Sequence, residues 1–217
     1  MRQPRQRGQQ PKSMAERDRV IQAYESAAPE LIDRFDSIDP LRLLAPVRDY
    51  LPQMPADILD VGAGTGRTAA WFASLGHQVV AVEPVAAFRR AGQARRPAAC
   101  VEWLDDRLPH LPALAQRAKP FQCILLSAVW HHLSGPDRRS ALPRLRRLSA
   151  RAGRVVLSVR AGPGAPDRPG FAAQIAQTLD WAPGAGFVLR AELSAASVQR
   201  QNRQAGVGWT WLVLEAV

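Results

Sequence analysis

Residues 58–83 constrain what this chain can fold into more than any other stretch. An apolar run, Ile58-Leu-Asp-Val61, passes directly into Gly62-Ala-Gly-Thr-Gly66, and a helical segment follows from Arg67 to Leu75. Gly76 ends that segment, and a second apolar run, Val79-Val-Ala-Val82, carries Glu83 at its tip. A strand-to-helix turn without β-carbons lets a ligand lie against the backbone, and the start of the helix offers N–H groups with no intrahelical partner. An acid at the end of the next strand can accept hydrogen bonds from both hydroxyls of a ribose. Strand, glycine turn, helix, strand and carboxylate in that order predict an adenosine-containing ligand. The bland alternatives are a tight turn in an unrelated α/β protein and a solvated carboxylate.

The alternation continues along the chain. Further apolar runs at Cys100–Leu104, Cys123–Leu126, Val155–Val159, Phe187–Leu189 and Trp209–Leu214 bring the strand candidates to seven, separated by helical segments. This pattern predicts an α/β fold, a doubly wound and mostly parallel sheet covered on both faces. The last strand follows a polar loop, Ser194–Gly208, and is expected to enter antiparallel at the edge. Upstream, Val20/Ile21, Tyr24, Ala27/Ala28, Leu31/Ile32 and Phe35 recur at helical spacing, with Pro29 expected to mark a break or the start of a second helix. Another helix is expected over Leu41–Leu51. Three units result: a disordered basic arm at 1–13, a helical cap at 14–52 lying over the ligand, and a binding domain at 53–217.

A dinucleotide fingerprint reads G-x-G-x-x-G and presents a pyrophosphate to the helix start. Here the spacing is G-x-G-x-G, with Asp60 two residues ahead of the first glycine. A carboxylate beside the turn suits a cationic ligand rather than a pyrophosphate. Leu59-Asp-Val-Gly-Ala-Gly-Thr-Gly66 followed by Val79-Val-Ala-Val-Glu-Pro84 resembles the first two motifs of the class I S-adenosylmethionine-dependent methyltransferases. The resemblance covers roughly 56–217 and implies a Rossmann-like seven-stranded sheet with S-adenosylmethionine as cofactor. It would place Asp60, Gly62, Ala63 and Gly64 at the methionine end and Glu83 on the ribose. It would put Asp105 or Asp106, from Val101-Glu-Trp-Leu-Asp-Asp-Arg-Leu-Pro109, on the adenine amino group; spacing slightly favours Asp105. A helix N-cap is the bland reading of either.

Phe121-Gln-Cys-Ile-Leu-Leu-Ser-Ala-Val-Trp-His-His-Leu133 would end the fourth strand beside the transferred methyl. Ser127 is a cofactor-side candidate. The wording resembles the small-molecule branch of the family, including quinone-biosynthesis and tellurite-type enzymes. His131 or His132 is a candidate general base, since imidazole titrates near neutrality; packing and solvation are the bland readings. Trp130 is expected to shape the pocket or fill the core, and Tyr24 to act as a lid residue or to pack. No Asn-Pro-Pro-Tyr or Asp-Pro-Pro-Tyr follows this strand, which argues against amino-methylation of adenine or cytosine bases, and no Pro-Cys does, which argues against cytosine C5 chemistry. Cysteine and histidine spacing supports no zinc site, and no acidic cluster for a divalent ion is visible, so no metal is expected.

Composition prunes the remaining classes. The formal net charge is +10, yet the basic residues are almost all arginine, with Lys12 and Lys119 the two lysines. That skew in an Ala- and Pro-rich chain suggests coding bias rather than a nucleic-acid footprint. The arginines at 138, 139, 144, 146, 147, 151 and 154 read first as a solvated helix face and second as an anionic-substrate or RNA patch, with Leu142, Leu145 and Leu148 against the sheet and Pro143 in a first turn starting near Ser140. Cys100 and Cys123 are expected to be buried free thiols. No stretch is long and apolar enough to span a bilayer, and no secretory signal opens the chain, so a cytoplasmic protein is expected. The reading is a methyltransferase acting on a small-molecule acceptor. Alternatives are methylation of RNA or protein, a nicotinamide-dependent oxidoreductase, and a non-catalytic adenosine-ligand binder.

Overall fold

The computed structural model describes residues 10–96, 100–164, 170–171 and 175–217, with side chains described from Arg17 onward. Seven strands, β1 (Asp57–Val61), β2 (Gln78–Val82), β3 (Val101–Leu104), β4 (Phe121–Leu126), β5 (Ser149–Ala161), β6 (Phe187–Ala196) and β7 (Gly208–Ala216), form one sheet in the order β3-β2-β1-β4-β5-β7-β6. Strands β1 to β5 pair in parallel, and β7 runs antiparallel to both β5 and β6. Chain order reverses between β1 and β4, which is where an open α/β sheet collects ligands at its carboxyl ends. The seven strands and their mostly parallel pairing follow the hydrophobic pattern. The antiparallel strand β7 sits one place in from the edge, and β6 forms the edge.

Strand period two sorts the core into two layers. Leu59, Val61, Val80, Val82, Ile124 and Leu126 face one side with Leu142, Leu145 and Leu148 of α5 (Gly135–Leu148). Ile58, Val79, Ala81, Cys123 and Leu125 face the other, against Leu44, Val47, Ala69 and Phe72. Phe72 and Ala69 belong to α3 (Arg67–Ser74); Leu44 ends α2 (Pro40–Leu44), and Val47 lies in the 3-10 turn Ala45–Tyr50. The helix expected over Leu41–Leu51 is therefore two short pieces.

Several expectations are corrected. Helix α1 (Gln10–Asp36) runs unbroken through Pro29. An interior proline costs about 3 kcal/mol, and here Ala28, Leu31, Phe35 and Tyr24 offset it by packing against Val85 and Phe88 of the neighbouring turn and α4 (Ala86–Arg95). Residues 10–13, expected in a disordered arm, belong to this helix; residues 1–9 lie outside the described residues. Helix α5 likewise passes through Pro143 from an N-cap at Ser134, because its leucines are fully buried on the sheet. Ser194–Gly208 is not a simple loop: β6 continues to Ala196, and α7 spans Arg200–Gln204. The apolar reading of β6 stopped at Leu189 because Arg190 and Glu192 alternate outward on an edge strand.

The arginine-rich segment is only partly a solvated face. Arg144 donates to the Leu111 carbonyl, Arg146 to those of Gly186 and Val217, and Arg154 to that of Tyr50, so these guanidinia close backbone ends around the sheet. Cys123 is buried in β4 and its thiol is pushed up to about 12 by desolvation, whereas Cys100 is exposed at the start of β3 rather than buried. Both are free thiols. No described helix is long and apolar enough to cross a membrane.

Candidate active site

The glycine turn leaves β1 with positive φ at Gly62, Gly64 and Gly66. A β-carbon on Gly62 would lie 2.4 Å from Val129 Cγ2, and one on Gly66 2.5 Å from the Trp103 ring, so neighbouring side chains close over the bare backbone. Glu83 holds the turn from the tip of β2. Its Oε2 accepts from Gly64 N and its Oε1 from Val85 N, both at 2.8 Å. Each oxygen keeps a further lone pair for a ligand hydroxyl. Burial lifts the Glu83 carboxyl to about 7, against the two amide bonds and the nearby Arg89 cation, and Asp60 pushes it in the same upward direction.

Asp60 is the second buried acid. It is 2% exposed, and its Oδ2 has no hydrogen-bond partner among the described residues. Desolvation raises it to about 7, with Arg67 pulling the other way. Arg67 opens α3; burial lowers it to about 10, and its one hydrogen bond among those resolved runs from Nη1 to the Phe35 carbonyl at 3.0 Å. Asp36, at the end of α1, clamps the far side of the turn. Burial pushes its carboxyl up, but bonds from Thr65, Arg96 and Arg95 outweigh this and hold it below the usual range. The helical cap is thereby fastened to the loop and to α4.

A cavity of about 250 Å³ opens over the carboxyl ends of β1, β2 and β4. Asp60, Gly62, Ala63, Gly64, Glu83, Asp106, Ser127 and His132 all line it. Two of the expected site residues do not. Asp105 points outward with its side chain 68% exposed and pairs with Arg89 at 2.6 Å, so the slight preference for it over Asp106 is reversed. Asp106 is 6% exposed, with Oδ1 on Arg107 N and Oδ2 on Ala113 N, both at 2.8 Å. His131 is buried beside the cavity, its ring 5.7 Å from that of Trp209. Desolvation, with His132 and Arg160 nearby, drives its imidazole down to about 2, which keeps the ring neutral. Trp130 is wholly buried and donates Nε1–H to Thr178 Oγ1 at 2.9 Å, which is core rather than pocket.

The cap and the C-terminal strands complete the enclosure. Tyr24 on α1 lines the cavity, and its hydroxyl lies 2.9 Å from His132 Nε2, joining roof to floor. Trp209 and Trp211 of β7, with the segment Ala195–Gln199 that ends β6 and leaves it, form the wall farthest along the sheet from Glu83. Sequence reading missed these residues: their only signal was aromatic residues on a terminal strand, and no local motif marks the β6 end as a wall.

Residues 58–153 match the model of the methyltransferase domain family. An uncharacterized methyltransferase from Alkaliphilus oremlandii is 29% identical over 100 residues, 46% of this chain and 44% of that protein. The matched stretch runs from β1 through the first part of β5 and is similar to that family. The Burkholderia thailandensis 1,6-didemethyltoxoflavin-N1-methyltransferase, solved with 1,6-didemethyltoxoflavin and S-adenosylhomocysteine, is similar over 100% of this chain and 93% of its own, with a TM-score of 0.72 and 21% identity. A TehB-like S-adenosylmethionine-dependent methyltransferase from Corynebacterium glutamicum is similar over 94% of this chain and 100% of its own, with a TM-score of 0.59 and 20% identity. At these identities the solved structures speak for the fold. The match spans less than half the length of the curated relative. Asp60, the glycine turn and Glu83 fall inside the matched residues, while α1, β6 and β7 lie outside them.

Proposed function

We propose that this chain binds S-adenosylmethionine and transfers its methyl group to a small-molecule acceptor. The observation that carries the reading is the pairing, in one cavity, of a glycine cradle with two buried acids, one of them holding an unpartnered oxygen. That donor set fits the cofactor. Asp60 would face the ammonium and sulfonium end, Glu83 would accept from the ribose hydroxyls, and Asp106 would accept from the adenine amino group. A pyrophosphate would meet two buried carboxylates there, which disfavours a nicotinamide dinucleotide. The bound cofactor would supply an electrophilic methyl group on a positively charged sulfur.

The protein's own work is positioning, exclusion of water and removal of a proton. The cap helix closes the cavity, and Tyr24 and His132 stand together on its acceptor side. A nucleophile bearing a proton would pass it to Tyr24 Oη as the tyrosine proton moves to His132 Nε2, leaving an imidazolium and a free lone pair on the nucleophile. Val129, Leu133 and the tryptophans of β7 keep the chamber apolar. Its enclosure suits a small molecule better than a polymer, and the arginines of α5 and early β5 that bond backbone carbonyls are committed to the fold.

The test is incubation of the protein and methyl-labelled S-adenosylmethionine with a metabolite extract, total RNA or a protein extract. Label is expected in the metabolite fraction. Label confined to RNA or protein would replace the acceptor class, and no label in any pool would leave a cofactor-binding protein without transferase activity.

A further inference from the structure

We infer that the acceptor is an anion, a small molecule bearing a phosphate or carboxylate that Arg34, Arg42 and Arg200 receive at the mouth of the cavity. The inference rests on the methyltransferase reading of that cavity and adds the charge class of its substrate. A second, shallower depression of about 350 Å³ adjoins the cavity and shares Arg42, Val198 and Gln199 with it, so the two are continuous. Arg34 and Arg200 complete its basic rim from the end of α1 and the start of α7. Its one carboxylate, Asp39, is engaged as the N-cap of α2, accepting from Leu41 N at 2.9 Å.

Three guanidinium groups facing one depression repel each other, and among the described residues none of the three is within ion-pair distance of a carboxylate. Of the other arginines lining the cavity, Arg17 pairs with Asp137 and Arg107 with Asp18, while Arg67 lies at the glycine turn with its Nη1 on the Phe35 carbonyl. Apart from Arg67 beside Asp60, the cations without an ion pair among the described lining residues gather at this mouth. That mouth adjoins the wall built by Ala195–Gln199 and includes neither Glu83 nor Asp106, so it opens away from the residues proposed to hold the adenosine. Guanidinia bind phosphate and carboxylate through paired N–H donors, and a basic entrance raises the local concentration of an anion. The apolar chamber with its tryptophans then takes the rest of the molecule.

Phenyl phosphate, benzoate and phenol, titrated calorimetrically into the full chain saturated with S-adenosylhomocysteine, read the charge and distinguish phosphate from carboxylate. The tighter of the two anions is expected to bind at least about tenfold better than phenol at low salt, and the gap is expected to shrink between about 0.05 and 0.5 M salt. The double variant Arg34→Gln/Arg200→Gln is expected to weaken the anion at least about fivefold while leaving S-adenosylhomocysteine within about twofold. Phenol binding as well as both anions, no binding by any probe, or an unaffected double variant would overturn the inference while the cofactor reading stands. Failure of S-adenosylhomocysteine itself to bind would instead strike the cofactor reading, and the inference with it.

Discussion

Replacing Asp60 with asparagine is expected to stabilise the ligand-free protein and to weaken its hold on S-adenosylmethionine. Asp60 is 2% exposed, and burial raises its carboxyl from an ordinary 3.8 to about 7 despite Arg67. Between these values the folded state binds more protons than the unfolded state, so stability falls as pH rises from about 4 and levels off above about 7. The full difference corresponds to about 4 kcal/mol. Asparagine imitates the protonated acid and has no such loss. The variant should match the wild type near pH 4 and exceed it by about 2–4 kcal/mol at pH 8, since relaxation around the ionised carboxylate recovers part of the cost. At about 2–4 °C per kcal/mol for a chain of this size, the gain in Tm is roughly 4–16 °C. Thermal unfolding of both apo proteins from pH 4.5 to 8.5 measures this. Parallel pH profiles, or a wild type that gains on the variant as pH rises, would refute the burial argument. The same variant should lose at least about tenfold in cofactor affinity, the worth of a charge-assisted contact.

Four further substitutions address other parts of the molecule. Gly62→Ala combines a φ of +71° with a β-carbon 2.4 Å from Val129 Cγ2, and chemical denaturation should show a loss of about 1–3 kcal/mol. Thr178→Val leaves the buried Trp130 Nε1–H without its acceptor and should cost about 1–3 kcal/mol by the same assay, without moving cofactor affinity. Tyr24→Phe and His132→Gln should each lower kcat by about 10²-fold with a small change in cofactor affinity, measured by methyl transfer and calorimetry. Equal losses of kcat and cofactor affinity would make the pair a structural strut instead.

The parts of this molecule that were legible beforehand are those encoded locally. Ile58 to Glu83 is a single crossover, and its apolar runs, glycines and terminal acid fall where strand and helix periods require them. Asp105 and Asp106 show where local reading fails. Neighbouring residues in extended chain point to opposite sides, and the choice was made by Arg89, which draws Asp105 outward, and by the amides of Arg107 and Ala113, which hold Asp106 in. His131 and His132 part in the same way, one packed by Trp209 and the other met by Tyr24 from α1. Both contacts bridge long sequence separations. Pro29 and Pro143 looked like helix ends because propensity was read without the buried faces that carry both helices through. The cavity wall from β6 and β7 was illegible because it depends on β7 inserting between β5 and β6.

A crystal structure with S-adenosylhomocysteine tests the proposed cofactor site most directly. The expected complex has both ribose hydroxyls on Glu83, the adenine amino group on Asp106 and the methionine amine beside Asp60, with the ligand lying on the turn at 62–66. Clear density for the ligand at some other place, or a ribose that does not touch Glu83, would contradict it.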